Sequence, residues 1–356
     1  MKIGIIGLPQ TGKKTLFQTL TGSVLREQSG PAKPLPGSAE IIDSRYDNLV
    51  KLYSPKSDVR AKIELMLLPK LEQENISKGA IFKDIADVDA ICHVIRAFED
   101  DAVYHTEGSV NALRDMEMVN SELLMHDQIF VEKRIERIKL AMKKKKEEQQ
   151  EKELILLDKM QAHLEQEKPL RLMSIAPDDE MFIKSYPLIT RKEMILTFNI
   201  GEDDLGSSDI LTKVQSKCYE EKMEAMTVCA QVESEIALLD SAEEKEAFLE
   251  DLAIEEAALG ALTRLCLNAL GLISFFTVGE DEVRQWLVRK NSPAPVAAGV
   301  IHSDLQRGFI RAEVMKYDEL MEYGSEAALK KVGKMKLEGK EYIVDDGDIL
   351  NIRFKV

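Results

Sequence analysis

MKIGIIGLPQTGKKTLF, residues 1–17, decides the fold. Lys2–Gly7 is a short β-branched run of strand length, and Leu16, Phe17 and Leu20 follow at helical spacing. Between them GLPQTGKKT, Gly7 to Thr15, follows the pattern G-x-x-x-x-G-K-[ST] up to its eighth position, which holds Lys14 instead of a hydroxyl. In such a loop the backbone N–H groups and the start of the following helix cradle phosphate, and the lysine pairs with terminal phosphate oxygens. Gly7, Gly12 and Lys13 keep that anion-binding part. The hydroxyl would ligate Mg²⁺, which an ammonium at position 14 cannot do, and on a helix Thr15 is turned away by about 100°. A glycine-rich strand–helix turn with surface lysines is the alternative. The strand before and the helix after are the context a phosphate site requires.

The 356 residues are too many for one ordinary domain and imply two or three. Hydrophobic residues make up 44% and charged ones 31%, as in a soluble globular protein. No apolar run approaches bilayer length, and the N-terminus lacks a secretory pattern, so no membrane contact is expected. Cys92, Cys218, Cys229 and Cys266 are widely spaced with no C-x-x-C pair, which suggests a reduced, cytoplasmic chain without zinc. The net charge of −15 repels nucleic acid on average, so any RNA contact needs a local basic surface.

Residues 63–68, 90–95 and 194–199 are further strand-like runs, giving an open α/β sheet. Residues 22–40, with three glycines and three prolines, read as a mobile loop. From 116 to 167 glycine and proline are absent. Val131, Ile135, Ile138 and Met142, then Leu154, Leu157, Met160 and Leu164, form two apolar stripes. An antiparallel helical hairpin would bury the stripes together; a single helix would leave both unpartnered. Residues 210–273 read as helices, with a capping box at Ser241 and Glu244. In the last 80 residues or so, SFFTV, QWLV, GFIRAEVM, EYIV and ILNIRF alternate with turn residues, as in a small α+β domain.

GLPQTGKKTLFQTLTG resembles the corresponding block of the YchF / Obg-like ATPases. So, in the same order, do HVIRAFEDD (93–101), EGSVNALRDMEMVNSEL (107–123), FNIGEDD (198–204), EEKEAFLEDLAIEE (243–256), APVAAGVIHSDLQRGFIRAEV (294–314) and GKEYIVDDGDILNIRF (339–354). The resemblance covers almost the whole chain, with clear losses only between about residues 22 and 80. It implies an α/β P-loop NTPase G domain (1–118 and 185–273), an inserted antiparallel α-helical hairpin (119–184) and a C-terminal ubiquitin-like (β-grasp) TGS domain (274–356). It implies ATP in preference to GTP, held by Gly7, Pro9, Gln10, Thr11, Gly12, Lys13, Lys14, Thr15, Asn199 and Glu202. Asn199 and Glu202 stand in the family's N-x-x-E pattern, whose amide complements the N6 donor and N7 acceptor of adenine. It also implies a ribosome or RNA partner met through the hairpin and the TGS domain.

Three elements for Mg²⁺ and the γ-phosphate are altered together. Position 14 is lysine, residues 40–110 contain no D-x-x-G, where LMLLPKLEQ (65–73) stands instead, and no threonine occurs between Thr21 and Thr106. Weak, Mg²⁺-insensitive ATP binding with little or no hydrolysis is therefore expected, and no catalytic residue is assigned. The alternative is a pseudo-ATPase scaffold without nucleotide, acting through its hairpin and TGS surfaces. Lys143–Lys146 with Lys133, Arg134, Arg137 and Lys139, and Arg307, Arg311, Lys330, Lys331, Lys334 and Lys336, are the candidate RNA-facing groups against plain solvated surface. His302 reads as structural or RNA-facing rather than catalytic, and Trp286 as core.

Overall fold

The computed structural model describes residues 1–24, 33–72, 76, 79–145, 147–239, 241–252, 254 and 257–355. Two compact units divide the chain: Met1–Ala39 with Glu64–Leu262, and Glu40–Ile63 with Thr263–Val356.

The first unit is built on a sheet of six strands in the order β2-β4-β1-β5-β6-β7. These are β1 (Lys2–Ile6), β2 (Leu35–Glu40), β4 (Lys62–Leu67), β5 (Ala90–Arg96), β6 (Glu193–Asn199) and β7 (Glu224–Val228). β1 runs parallel to both β4 and β5, and β5, β6 and β7 continue in parallel. The chain passes to one side of β1 for β2 and β4 and to the other for β5. Ligands of open α/β sheets bind at the carboxyl ends of the strands where the order reverses in this way. Every residue of β5 is buried, because helices cover both faces of the sheet.

Two helices, Ala112–Met142 and Glu148–Leu164, form the expected hairpin. Val131, Ile135 and Ile138 pack with Leu156, Leu157, Met160 and Leu164, and Met142 and Leu154 flank them half-buried. Arg134 donates to Glu153 Oε1 (2.8 Å) across the pair, and Tyr186 donates to the same oxygen. Asp127, wholly buried, ties the base of the hairpin to the returning chain. Its carboxylate accepts from Ile189 N, Thr190 N and Thr190 Oγ1 at 2.9, 2.7 and 2.7 Å.

The second unit carries the sheet β11-β10-β12-β8-β9-β3. Its strands are β3 (Ser57–Val59), β8 (Leu272–Thr277), β9 (Glu282–Arg289), β10 (Phe309–Lys316), β11 (Lys336–Glu338) and β12 (Asp348–Phe354). The first and last long strands, β8 and β12, lie side by side in parallel, flanked by the antiparallel partners β9 and β10. With the helix Ala294–Ile301 after the first hairpin, this is the ubiquitin-like β-grasp. Residues from far upstream complete it. Tyr46 and Leu49, on the helix Ser44–Tyr53, are buried with Phe276, Val283, Leu320 and Ile349, and β3 adds a parallel sixth strand beside β9.

Several sequence expectations are corrected. Residues 35–40 are strand β2, tolerated with Pro36 and Gly37 because β2 lies at the sheet edge; residues 25–32 of the expected loop lie outside the described residues. Residues 224–228, read as helical, form β7, a short edge strand directly after the helix Asp209–Glu221. Within EYIV only Ile343 pairs, as an isolated bridge to Pro293, and β11 takes the edge position beside β10. The Ser241–Glu244 capping box is present in both directions.

Candidate functional site

The loop Gly7–Gly12 leaves β1 at the carboxyl edge of the sheet and feeds the helix Lys13–Thr21. Gly7 is required by close approach, since a Cβ there would stand 2.4 Å from the Val94 carbonyl oxygen. Gly12 is required by conformation and space together. Its φ is +83°, and a Cβ would lie 2.1 Å from Asn199 Nδ2. Gln10 holds a positive φ of 61° without being glycine, which costs about 1 kcal/mol. Thr11, buried, closes the loop by donating from Oγ1 to Leu8 O at 3.2 Å. Pro9 is half-buried; Gln10 and Lys14 are exposed.

Among the described residues nothing accepts a hydrogen bond from the backbone N–H groups of Gln10, Thr11, Gly12, Lys13, Lys14 or Thr15, whereas Leu16 N already donates to Gly12 O at 3.0 Å. Six consecutive partnerless amides at a helix start are an anion site. The Lys13 side chain folds in beneath them, only 5% exposed, and Nζ donates to Gly7 O at 2.7 Å and Pro69 O at 3.1 Å. Burial first, then the charges of Lys70 and Lys14 against the opposing Glu72, push this ammonium down to about 7. His93 of β5 lies in the same interior, 1% exposed, with Nδ1 unpartnered. Burial, and then the charge of Lys13, push it down to about 3, so its ring is neutral.

Asn199 stands at the end of β6 and clamps the loop. Its Nδ2 donates to Thr11 O at 3.1 Å, and its Oδ1 accepts from Ala230 N at 2.9 Å, at the start of the helix Ala230–Leu238. The side chain keeps one further amide hydrogen and one lone pair. Glu202 lies exposed in the single turn Glu202–Asp204. The loop residues and Asn199 are thus one structure; among the described residues no hydrogen bond or ion pair joins Glu202 to it.

Two neighbours complete the surroundings of the loop, the second of them missed by sequence reading. Leu68–Leu71, within the segment 65–73 that lacks a D-x-x-G, lies directly against the loop: Leu71 N donates to Gly7 O at 3.2 Å, and Pro69 O receives Lys13. The sequence pointed to this segment through the missing D-x-x-G, but not to the contact between Lys13 and Pro69, 56 residues apart. Arg96, fully buried at the end of β5, donates to the carbonyls of Phe98, Asp100 and Val103 and so shapes the turn of residues 97–104.

Of the basic candidates, Arg134 is committed to Glu153 and Tyr186, Lys334 to Glu319, and Arg307 to Asp304. Lys133, Arg137, Lys143, Lys144, Arg311, Lys330, Lys331 and Lys336 are exposed. Lys146 lies outside the described residues. His302 caps the short helix Ser303–Arg307 by accepting from Asp304 N. Trp286 stacks on Phe275 and donates to Thr277 Oγ1. His302 fits its structural reading, and Trp286, half-buried, packs against the core and is not within it. No helix among the described residues is long and apolar enough to cross a membrane.

A parallel sheet with a glycine loop at its reversal point, partnerless amides and a buried lysine defines the P-loop class of nucleotide-binding G domains. Comparison with known proteins narrows this. A family model named YchF-GTPase_C, described as "Protein of unknown function (DUF933)", matches residues 272–355. The ribosome-binding ATPase YchF of Bacillus subtilis is 40% identical over 99% of both chains. Obg-like ATPase 1 of Oryza sativa subsp. japonica is 35% identical over all of this chain and 92% of its own. The solved structure of the Schizosaccharomyces pombe YchF GTPase superposes with a TM-score of 0.83 at 30% identity, covering 99% of this chain and 97% of that one. The chain belongs to the YchF / Obg-like ATPase family.

Proposed function

We propose that this chain is a divergent nucleotide-binding regulatory factor of the ribosome. It binds ATP in preference to GTP at the Gly7–Thr15 loop and hydrolyses it weakly or not at all. The observation that carries the nucleotide reading is the run of six partnerless amides over a buried lysine. ATP fits this cradle: the glycines leave the backbone bare, and Lys13 needs only to exchange its carbonyl partners for phosphate oxygens. Adenine meets the remaining hydrogen and lone pair of Asn199. Gly7, Pro9, Gln10, Thr11, Gly12, Lys13, Lys14, Thr15 and Asn199 form the site, with Glu202 at its border.

Mg²⁺ does not fit. Its ligands in such a site are hard oxygens, and here the position after Lys13 is an ammonium and the one carboxylate of residues 65–73, Glu72, pairs with Lys70. Several kcal/mol of transition-state charge stabilisation normally come from the metal, which is why hydrolysis is assigned as weak. The relatives' name supports ribosome association. The exposed Lys143 and Lys144 at the hairpin tip and the basic residues of the β-grasp, which we assign as a TGS module, are the surfaces suited to RNA phosphates. The setting this implies is the cytoplasm.

Co-sedimentation with ribosomes in low and high salt, with and without ATP, tests the proposal. Salt-sensitive binding altered by ATP supports it. Binding indifferent to ATP and to Lys13→Met supports a pseudo-ATPase scaffold instead, and no binding in low salt refutes the partner.

A further inference from the structure

Three hydrogen bonds stitch the run after β4 to the phosphate loop: Leu68 N to Ile5 O (3.0 Å), Leu71 N to Gly7 O (3.2 Å) and Lys13 Nζ to Pro69 O (3.1 Å). The last two bracket Lys70, one residue on either side, so its backbone is fixed beside the cradle. After burial, the charge of Lys70 acts on Lys13 more strongly than any other, ahead of Glu72 and Lys14. Its ammonium lies 3.7 Å from Glu72, and both side chains are about two-fifths exposed. Lys14, on the other side, is exposed and pairs with no carboxylate among the described residues.

Three lysines therefore stand at one amide cradle, Lys13 beneath it, Lys14 at the start of the helix and Lys70 in the run after β4, in a chain whose net charge is −15. Like charges held together repel, and a polyanion between them relieves that repulsion. Lys14 and Lys70 together carry the charge of one Mg²⁺, and Lys14 stands at the position where a metal-binding P-loop has its hydroxyl ligand. We propose that Lys70 is a phosphate-binding residue that, with Lys14, takes the place of magnesium and makes this a metal-independent triphosphate site. The inference rests on the nucleotide reading above.

The direction of the metal effect follows. An ammonium donates hydrogen bonds to the same β- and γ-oxygens whose lone pairs Mg²⁺ engages, and complexed ATP carries less negative charge. Lysines that replace the metal therefore prefer free ATP, whereas a metal-holding loop prefers the complex.

The test is calorimetric titration of the full chain with ATP, in EDTA and in excess Mg²⁺, repeated with AMP. The intact protein is expected to bind ATP about three- to ten-fold more tightly in EDTA. Lys70→Gln loses about ten-fold for ATP in EDTA and less than two-fold for AMP, and Lys70→Arg retains most of the affinity. Lys14→Ser, at an exposed position, gives a second reading: its preference for free ATP disappears. Tight binding only with Mg²⁺, or a Lys70→Gln protein indistinguishable from the parent, overturns the inference and leaves the nucleotide reading standing. No ATP binding in either buffer overturns both.

Discussion

Binding of a triphosphate draws a proton onto Lys13. In the free protein burial, reinforced by Lys70, holds this ammonium at about 7 instead of its ordinary 10.5. Above that pH the buried amine is neutral, with its contacts to Gly7 O and Pro69 O. A triphosphate favours the charged form and returns it toward the ordinary lysine range. Between the two values each pH unit weakens binding about ten-fold, because the lysine must first be protonated. Raising the pH from about 7.5 to 9.5 should thus cost roughly a hundred-fold in affinity, or about 2.7 kcal/mol. Below about 7 Lys13 is charged in both states and contributes no slope. Titration at pH 8.5 in two buffers of different ionisation enthalpy reads the proton directly: about one taken up per ATP in the parent, none in Lys13→Met. A flat affinity from pH 7.5 to 9.5 with no proton uptake would refute the linkage.

Three further outcomes follow from packing. Gly12→Ala combines a positive φ of 83° with a Cβ 2.1 Å from Asn199 Nδ2; it should cost at least about 2 kcal/mol in the first unit and loosen the Asn199 clamp, seen as faster amide exchange at Thr11 and Ala230. Asp127→Ala leaves the Ile189 and Thr190 amides buried without an acceptor; a loss of about 3–5 kcal/mol is expected by denaturant melting, and a loss under 1 kcal/mol would contradict the bracing role. A fragment of residues 263–356 lacks the buried Tyr46 and Leu49, each worth about 1.5–3 kcal/mol. It should show poorly protected amides until a peptide of residues 40–63 is added, and full protection of the bare fragment would contradict this.

What could be read in advance follows from the range of the interactions. The β1–loop–helix unit and the hairpin were legible because their signals are local: a glycine pattern in one case, stripes at three and four residues in the other. β2 was not, because an edge strand accepts Pro36 and Gly37 that elsewhere mark a loop. β7, with one glutamate and one alanine among its five residues, carries little strand preference and is specified by its neighbour β6. The return of residues 40–63 to the β-grasp sheet was hidden for the same reason. β3 is three residues long, and its partner β9 lies more than 200 residues away. At the site, the motif located Lys13 and Asn199 but not their joint construction. The Asn199 contact to Thr11 spans 188 residues, and it exists because Gly12 has no side chain to block it.

A crystal structure of the full chain grown with ATP and magnesium tests the central claim most directly. The account predicts phosphate oxygens on the backbone amides of Gln10–Thr15 and on Lys13, with Lys14 and Lys70 turned toward the β- and γ-phosphates and no divalent ion between them. An empty loop, or an octahedral magnesium ion seated beside the γ-phosphate, would contradict it.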